Sequence, residues 1–352
     1  MKRKIAAMIA VSPLWAFAQD SNVVYGVIDE GIRHGSNLSA GNTPVNGAAT
    51  ALSSGVNTTS RLGYRGREDL GGGLFTVYNL ESGLNADVGT MLNATKFFDR
   101  ASWVGLGGPW GTLTAGRQTT PLADAVVPVD PLRVRFASFN PNIAVAALSA
   151  PGLGIEYGSA GSPSGSYRLD NSLKYTGTFG PVTGRVMYAL GESLEGQSPL
   201  SSVGSGLTYE SDGLVVSGAY QKFMSANRLE LDAGNIGASY RFGRVTMSAT
   251  FGRVDAQTAR TSQTIQKVKS VGATYAVSEA MDLTAAYYDL DRRRTAAMND
   301  GYSRIITFVE YKLSRRTKIY AEADYTNWRG NFQGSGNGKK ARGLTAGMVH
   351  SF

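Results

Sequence analysis

The 352-residue chain has no cysteine and only two histidines, His34 and His350. Without cysteine there are no disulfide staples, thiolate metal sites, thiol nucleophiles or dithiol redox chemistry. Two isolated histidines leave little for zinc binding, and neither has a Ser and Asp partner arrangement for nucleophilic catalysis. No catalytic residue, metal or cofactor is therefore expected. The "GGG" at 71–73 is followed by no Gly-Lys-Ser/Thr, so it reads as a tight turn, not a phosphate loop. Long apolar runs are missing too. Past the first twenty residues none approaches the roughly 18 residues of a spanning helix. The formal charge is +8, yet the basic residues are dispersed apart from Arg292, Arg293 and Arg294 and the pair Lys339 and Lys340. No stripe for nucleic acid results.

The N-terminus carries a compartment signal. "MKRK" is basic, "IAAMIAVSPLWAF" is apolar over about a dozen residues, and 16–18 is a small-residue cleavage site. Residues 1–18 read as a secretory signal peptide, leaving 19–352 for the fold. Losing Lys2, Arg3 and Lys4 lowers the net charge to about +5.

Period-two alternation runs through almost all the rest. Sixteen amphipathic segments can be counted, from 22–34 to 341–352. In "TKIYAEADYTNW", Ile319, Ala321, Ala323 and Tyr325 fall on one face, and Lys318, Glu322, Asp324 and Thr326 on the other. In "YSRIITFVEYKL", Ile305, Val309, Tyr311 and Leu313 oppose Arg304, Glu310 and Lys312. An apolar face beside a charged face fits lipid outside and water inside, although a soluble sandwich alternates in the same way. Connection lengths favour the barrel, because short turns alternate with longer Gly/Ser/Asn-rich loops. The expected fold is all-β: a 16-stranded antiparallel transmembrane β-barrel, wide enough for an aqueous lumen. Trp103, Trp110, Trp328, Tyr287 and Tyr311 suit an interfacial aromatic girdle. The charged "DLDRRR" and "GNGKK" read as loops, solvated or bound to lipopolysaccharide phosphates.

Residues 119–165 do not alternate. So long an irregular stretch in a compact fold is functional or disordered, and its prolines and apolar residues oppose simple disorder. It either folds inward and narrows the lumen or lies exposed on the surface. Arg61 and Arg65 oppose Leu62 and Tyr64, so they face the lumen if Leu62 faces lipid. Alternation from Leu113 and Ala115 aims Arg117 outward, so a bulge or the strand end must re-aim it.

Several stretches carry a resemblance: "VVYGVIDEGI", "SRLGYRGREDLGGGLFTVYNLESG", "SWVGLGG" with "WGTLTAGRQ", "YRLDNSLKYTG" and the terminal "VHSF". The chain resembles the Gram-negative general porins, most of all their β-proteobacterial branch, over essentially its whole mature length. The resemblance implies a homotrimeric outer-membrane channel whose third loop, 119–165, constricts the pore opposite arginines. By position these are Arg61, Arg117 and Arg168, with Arg65 beside them. Asp124 and Asp130 fall on the acidic side of the loop. There "PVDPLR" replaces the commoner "PEFG", and Arg133 and Arg135 add positive field. The resemblance also implies that Phe352 is the terminal aromatic read by the assembly machinery. The expected function is passive diffusion of small hydrophilic solutes and ions with a mild preference for anions. The alternative is a substrate-specific channel for anionic solutes. The implied partners are outer-membrane lipid, lipopolysaccharide and small solutes.

Overall fold

In a computed structural model that describes residues 21–192 and 199–352, the alternating segments form one antiparallel sheet closed on itself. The expected signal peptide, 1–18, lies outside the described residues. In chain order the strands are β1 (Ser21–Leu38), β2 (Pro44–Ser54), β3 (Arg61–Gly71), β4 (Leu74–Asn85), the two-residue β5 (Thr90–Met91), β6 (Ala101–Gly108) and β7 (Gly111–Thr119). After a helix, α1 (Pro121–Val126), come β8 (Arg168–Phe179), β9 (Val182–Ala189), β10 (Ser202–Ser211), β11 (Leu214–Met224), β12 (Glu230–Phe242) and β13 (Val245–Ala259). The last five are β14 (Ser262–Ala276), β15 (Met281–Arg294), β16 (Asp300–Lys312), β17 (Thr317–Arg329) and β18 (Lys340–Ser351).

Closure joins β18 to β1, in register from Val27↔Ser351 to Ser36↔Arg342. Gly26 and Phe352 complete the seam with reciprocal backbone hydrogen bonds of 3.1 and 3.0 Å. The second wall position is interrupted. β2 pairs with one half of β1 (Glu30↔Ser54) and β3 with the other (Val27↔Arg61), and residues 55–60 leave the wall between them. The described residues hold eighteen strands. Because β2 and β3 share a position and β5 only extends β4, the barrel has sixteen positions, as the periodicity predicts.

The excursion at 55–60 is held by a carboxylate. Asp29 Oδ2 accepts from the amides of Asn57 (2.6 Å) and Thr58 (2.7 Å), and Gly55 N donates to Asp29 O at 2.8 Å. Backbone donors that leave a ladder must find such partners when buried.

The face assignment matches the alternation. Ile305, Tyr311 and Ile319 are exposed, whereas Arg304, Glu310, Glu322, Asp324 and Thr326 are buried. Toward the rim of β13 to β15 the polarity inverts. Arg253, Lys269, Asp291 and Arg293 now occupy the exposed face, and Val254, Ala256, Val268 and Leu290 the buried one. The apolar outer band of a barrel is only about 25 Å tall, and strands that run past it meet water. These strands therefore extend further than the sequence suggests. Their connections shrink to 260–261 and 295–299, so short and long connections alternate less strictly than expected. "DLDRRR" belongs to β15 rather than a loop, with Arg292 and Arg294 both bonded to Asp300.

Two of the expected girdle residues sit elsewhere. Trp110, Tyr287 and Tyr311 are exposed, but Trp328 is buried against Tyr302 and Phe332, and Trp103 lines a cavity with Arg100 and Arg168.

Segment 119–165 is ordered. Thr120 caps α1 by accepting from Ala123 N, with Pro121 pre-set in the first turn, and a π-helical turn follows at Asn142–Ala146. Its apolar side chains pack on the buried face of the sheet: Val145, Ala150 and Tyr157 against Leu231, Val254 and Val268, and Leu132, Phe136 and Phe139 against Tyr288, Ile306 and Phe308. Asn235 Nδ2 donates to Leu122 O (2.9 Å), and Asn142 Nδ2 to Ser270 Oγ (3.1 Å). The approach is closest over three glycines. A Cβ at Gly237, Gly252 or Gly272 would lie 2.5 to 2.7 Å from Val129, Ala146 or Pro131.

Candidate pore constriction

On β4 and β8, Asn79, Glu81, Lys174 and Thr176 are half-buried and alternate with Leu80, Leu173 and Tyr175. They line a cavity of about 430 Å³ together with Arg100, Trp103 and Arg168. Glu81 is its electrostatic centre. Its Oε1 accepts from Arg100 Nε at 2.6 Å, its Oε2 accepts from Tyr25 Oη at 2.8 Å, and Arg61 Nε stands 3.5 Å from Oε2. One carboxylate thus faces two guanidinium groups. Arg168 is buried, its guanidinium lies 4.2 Å from the Tyr167 ring centroid, and its Nε has no hydrogen-bond partner. Burial opposes ionisation of Tyr167, but the charges of Arg168 and Arg100 outweigh it and bring the phenol down to about 8.

Arg117 is re-aimed by a bulge. The β7–β8 register shifts between Gly116↔Ser172 and Gln118↔Leu169. Gly116 takes φ +127°, and a Cβ there would lie 2.2 Å from Ser102 O. Arg117 Nη1 then reaches Asp170 Oδ1 at 2.7 Å, and its Nε donates to Asp99 O. Lys96 takes the other oxygen of Asp170. Asp124, in the first turn of α1, pairs with Lys174 Nζ at 3.0 Å and stands 3.7 Å from Arg185 Nε.

The structure does not bring every candidate here. Asp130 is 1% exposed, and its carboxylate accepts from Asn140 Nδ2 (2.9 Å), Asn142 Nδ2 (2.8 Å), Tyr288 Oη (3.1 Å) and Val134 N (2.8 Å). It braces its own segment instead of facing Arg61 or Arg168. Burial holds this carboxyl above the usual range, and the four hydrogen bonds offset only part of that. Arg133 is exposed. Arg135 pairs with Glu310 on β16, with its guanidinium 4.5 Å from the Phe308 ring, away from the Glu81 cluster. Arg65 is exposed, 4.8 Å from the Tyr25 ring, and lines a second cavity of about 390 Å³ with Arg67. Phe352 lies with its ring over Gly26, at the seam.

Sequence reasoning missed Arg100, Lys96, Lys174, Arg185, Glu81 and Asp170. Lys174 and Arg185 were legible, since each stands beside an apolar residue that turns to the exposed face, Leu173 and Val186. Arg100 was not, because it precedes β6 and strand parity does not govern its aim.

The family model for Gram-negative porins matches residues 5–331. An outer membrane porin protein of Bordetella pertussis is 27% identical over 266 residues, covering 70% of this chain and 68% of its own length. Outer membrane porin protein 32 of Delftia acidovorans is 27% identical over 366 aligned positions, covering 100% of this chain and 96% of its own. Among solved structures, an anion-selective porin from Comamonas acidovorans superposes with a TM-score of 0.78 at 23% identity, covering 95% of this chain and 100% of its own. The trimer form of the outer membrane protein OmpT of Vibrio cholerae gives 0.69 at 14% identity, covering 95% and 100%. With a closed barrel of sixteen positions, a lipid-compatible outer face and a family match along nearly its whole length, this chain belongs to the Gram-negative porins of the outer membrane.

Proposed function

We propose that segment 119–165 folds into the lumen and that the channel passes small hydrophilic solutes and ions passively, with a mild preference for anions. The observation that carries this reading is the charge count around the constriction. Arg61, Lys96, Arg100, Arg117, Arg168, Lys174 and Arg185 are set against Glu81, Asp124 and Asp170, seven basic side chains to three acidic. A wall of fixed charge beside a narrow aqueous gap sets ion selectivity. Guanidinium groups keep their charge across the physiological pH range. Inward placement of the segment is supported by its bonds to buried-face side chains on several strands, among them Asn235, Ser270 and Tyr288. Binding partners on one face, spread around a closed wall, are most simply reached from within.

The same reading takes the chain as a homotrimer exported by a cleaved signal peptide, seated in lipid and lipopolysaccharide, and carrying out no chemical reaction. The test is the reversal potential of the purified channel in a salt gradient across a planar bilayer. Anion preference is expected, and Arg168→Glu should move the potential toward cations. A clear cation preference of the unaltered channel overturns the reading.

A further inference from the structure

A third cavity, of about 360 Å³, opens where the ends of β15, β16 and β17 meet residues 42–44 and 138–152. Its walls are aromatic. Tyr302 and Trp328 meet edge to face at 4.8 Å, Tyr302 and Phe332 do so at 5.1 Å, and Trp328 and Phe332 stack at 5.5 Å with planes 7° apart. Into this box comes Arg304, 4% exposed. Its Nε donates to Thr326 Oγ1 (2.7 Å) and its Nη1 to Phe139 O (2.5 Å). Among the described residues its Nη2 has no hydrogen-bond partner and no carboxylate pairs with Arg304. The other cation of the cavity, Arg292, makes a two-point pair with Asp300 at 2.7 and 2.8 Å, a carboxylate it shares with Arg294. Arg33 nearby is committed to Glu322 and Asp324.

A guanidinium removed from water without a counter-charge is costly. Its three ring neighbours, Phe139 at 6.0 Å, Tyr302 at 5.1 Å and Trp328 at 5.8 Å, offset only part of that cost. What the cavity lacks is an anion, and what its walls offer an anion's substituent is an aromatic lining. We propose that this cavity is a binding site for small aromatic carboxylates. The carboxylate meets the spare Nη2 of Arg304, and the ring packs against the edge of Phe332, whose faces carry the stacked Trp328 at 5.5 Å and the Arg292 guanidinium at 4.0 Å from the centroid. The site is separate from the Glu81 cluster, shares no residue with it, and does not depend on the ion preference of the constriction.

Benzoate is the probe, with acetate (charge without ring) and benzyl alcohol (ring without charge) as comparators. Each is titrated against folded, detergent-solubilised protein and followed by saturation-transfer NMR. Saturable benzoate binding, at least tenfold tighter than either comparator, is expected. Arg304→Gln should abolish the preference for benzoate over benzyl alcohol, and Arg304→Lys should restore part of it. Phe332→Ala, in a rim loop, should abolish the preference over acetate, and it tests the site even if Arg304→Gln fails to fold. Arg117→Gln, at the constriction, should leave benzoate binding intact. Benzoate binding no tighter than acetate, or loss in Arg117→Gln with retention in Arg304→Gln, overturns the proposal.

Discussion

Asp130 shows what one buried carboxyl does for the segment around it. Its four hydrogen bonds join residues 130–142 to Tyr288 on β15, while burial raises its proton affinity. A carboxyl with a raised folded-state pKa contributes fully below the unfolded value of about 4, and that contribution is lost as pH rises through the folded value. The melting-temperature advantage of the unaltered protein over Asp130→Asn should therefore shrink as pH rises from about 4. An advantage that grows with pH would contradict the assignment. Glu81 acts in the opposite sense on conduction. It is the acid between Arg61 and Arg100, so Glu81→Gln should strengthen anion preference, read as a larger reversal potential of the same sign.

Among the elements, β7 and the glycines beneath segment 119–165 are the most exacting. Gly116→Ala forces a Cβ onto Ser102 O at a positive φ. Strained backbone of this kind costs about 1–3 kcal/mol, so a lower melting temperature is expected, together with a weaker anion preference as Arg117 loses its aim. Gly252→Val would push Ala146 off the wall. Faster protease cleavage within 140–150 than in the unaltered protein is the expected result. Much of this architecture was readable beforehand. All sixteen wall positions follow from period-two alternation, and even the bulge at Arg117 follows from a parity conflict with Leu113 and Ala115. β2 was not readable, because "PVNGAATALSS" is built of small residues with little contrast between faces. The last residues at the rim of β13 to β15 were not readable as strand: "DLDRRR" reads as loop charge because Arg292, Arg293 and Arg294 stand where apolar side chains would mark a strand. By resemblance Asp124, and after it Asp130, fall on the acidic side of the loop. Only the fold of the loop sends one to Lys174 and Arg185 and buries the other.

At the scale of the whole molecule, sixteen positions form a ring with no edge, and a bilayer allows no unpaired backbone donor. Phe352 lies where the ring closes, so deleting it should lower the yield of folded, heat-modifiable protein several-fold, while channels that do fold keep their conductance. Normal yield would remove the case for an assembly role. The seam itself is unlike every other junction in the wall. Its partners, Val27 and Ser351, stand more than 300 residues apart, whereas most neighbouring strands meet across a single connection. Bringing such distant segments together from an open chain costs about 5 kcal/mol in closure entropy. Once the intervening hairpins have zipped up in sequence, little of that cost remains. The order of events follows: local hairpins first, and the β1–β18 pairing last. In refolding followed by pulsed hydrogen exchange, amides of β1 and β18 should be the final ones to gain protection, making closure of the ring the slow step in the life of the protein.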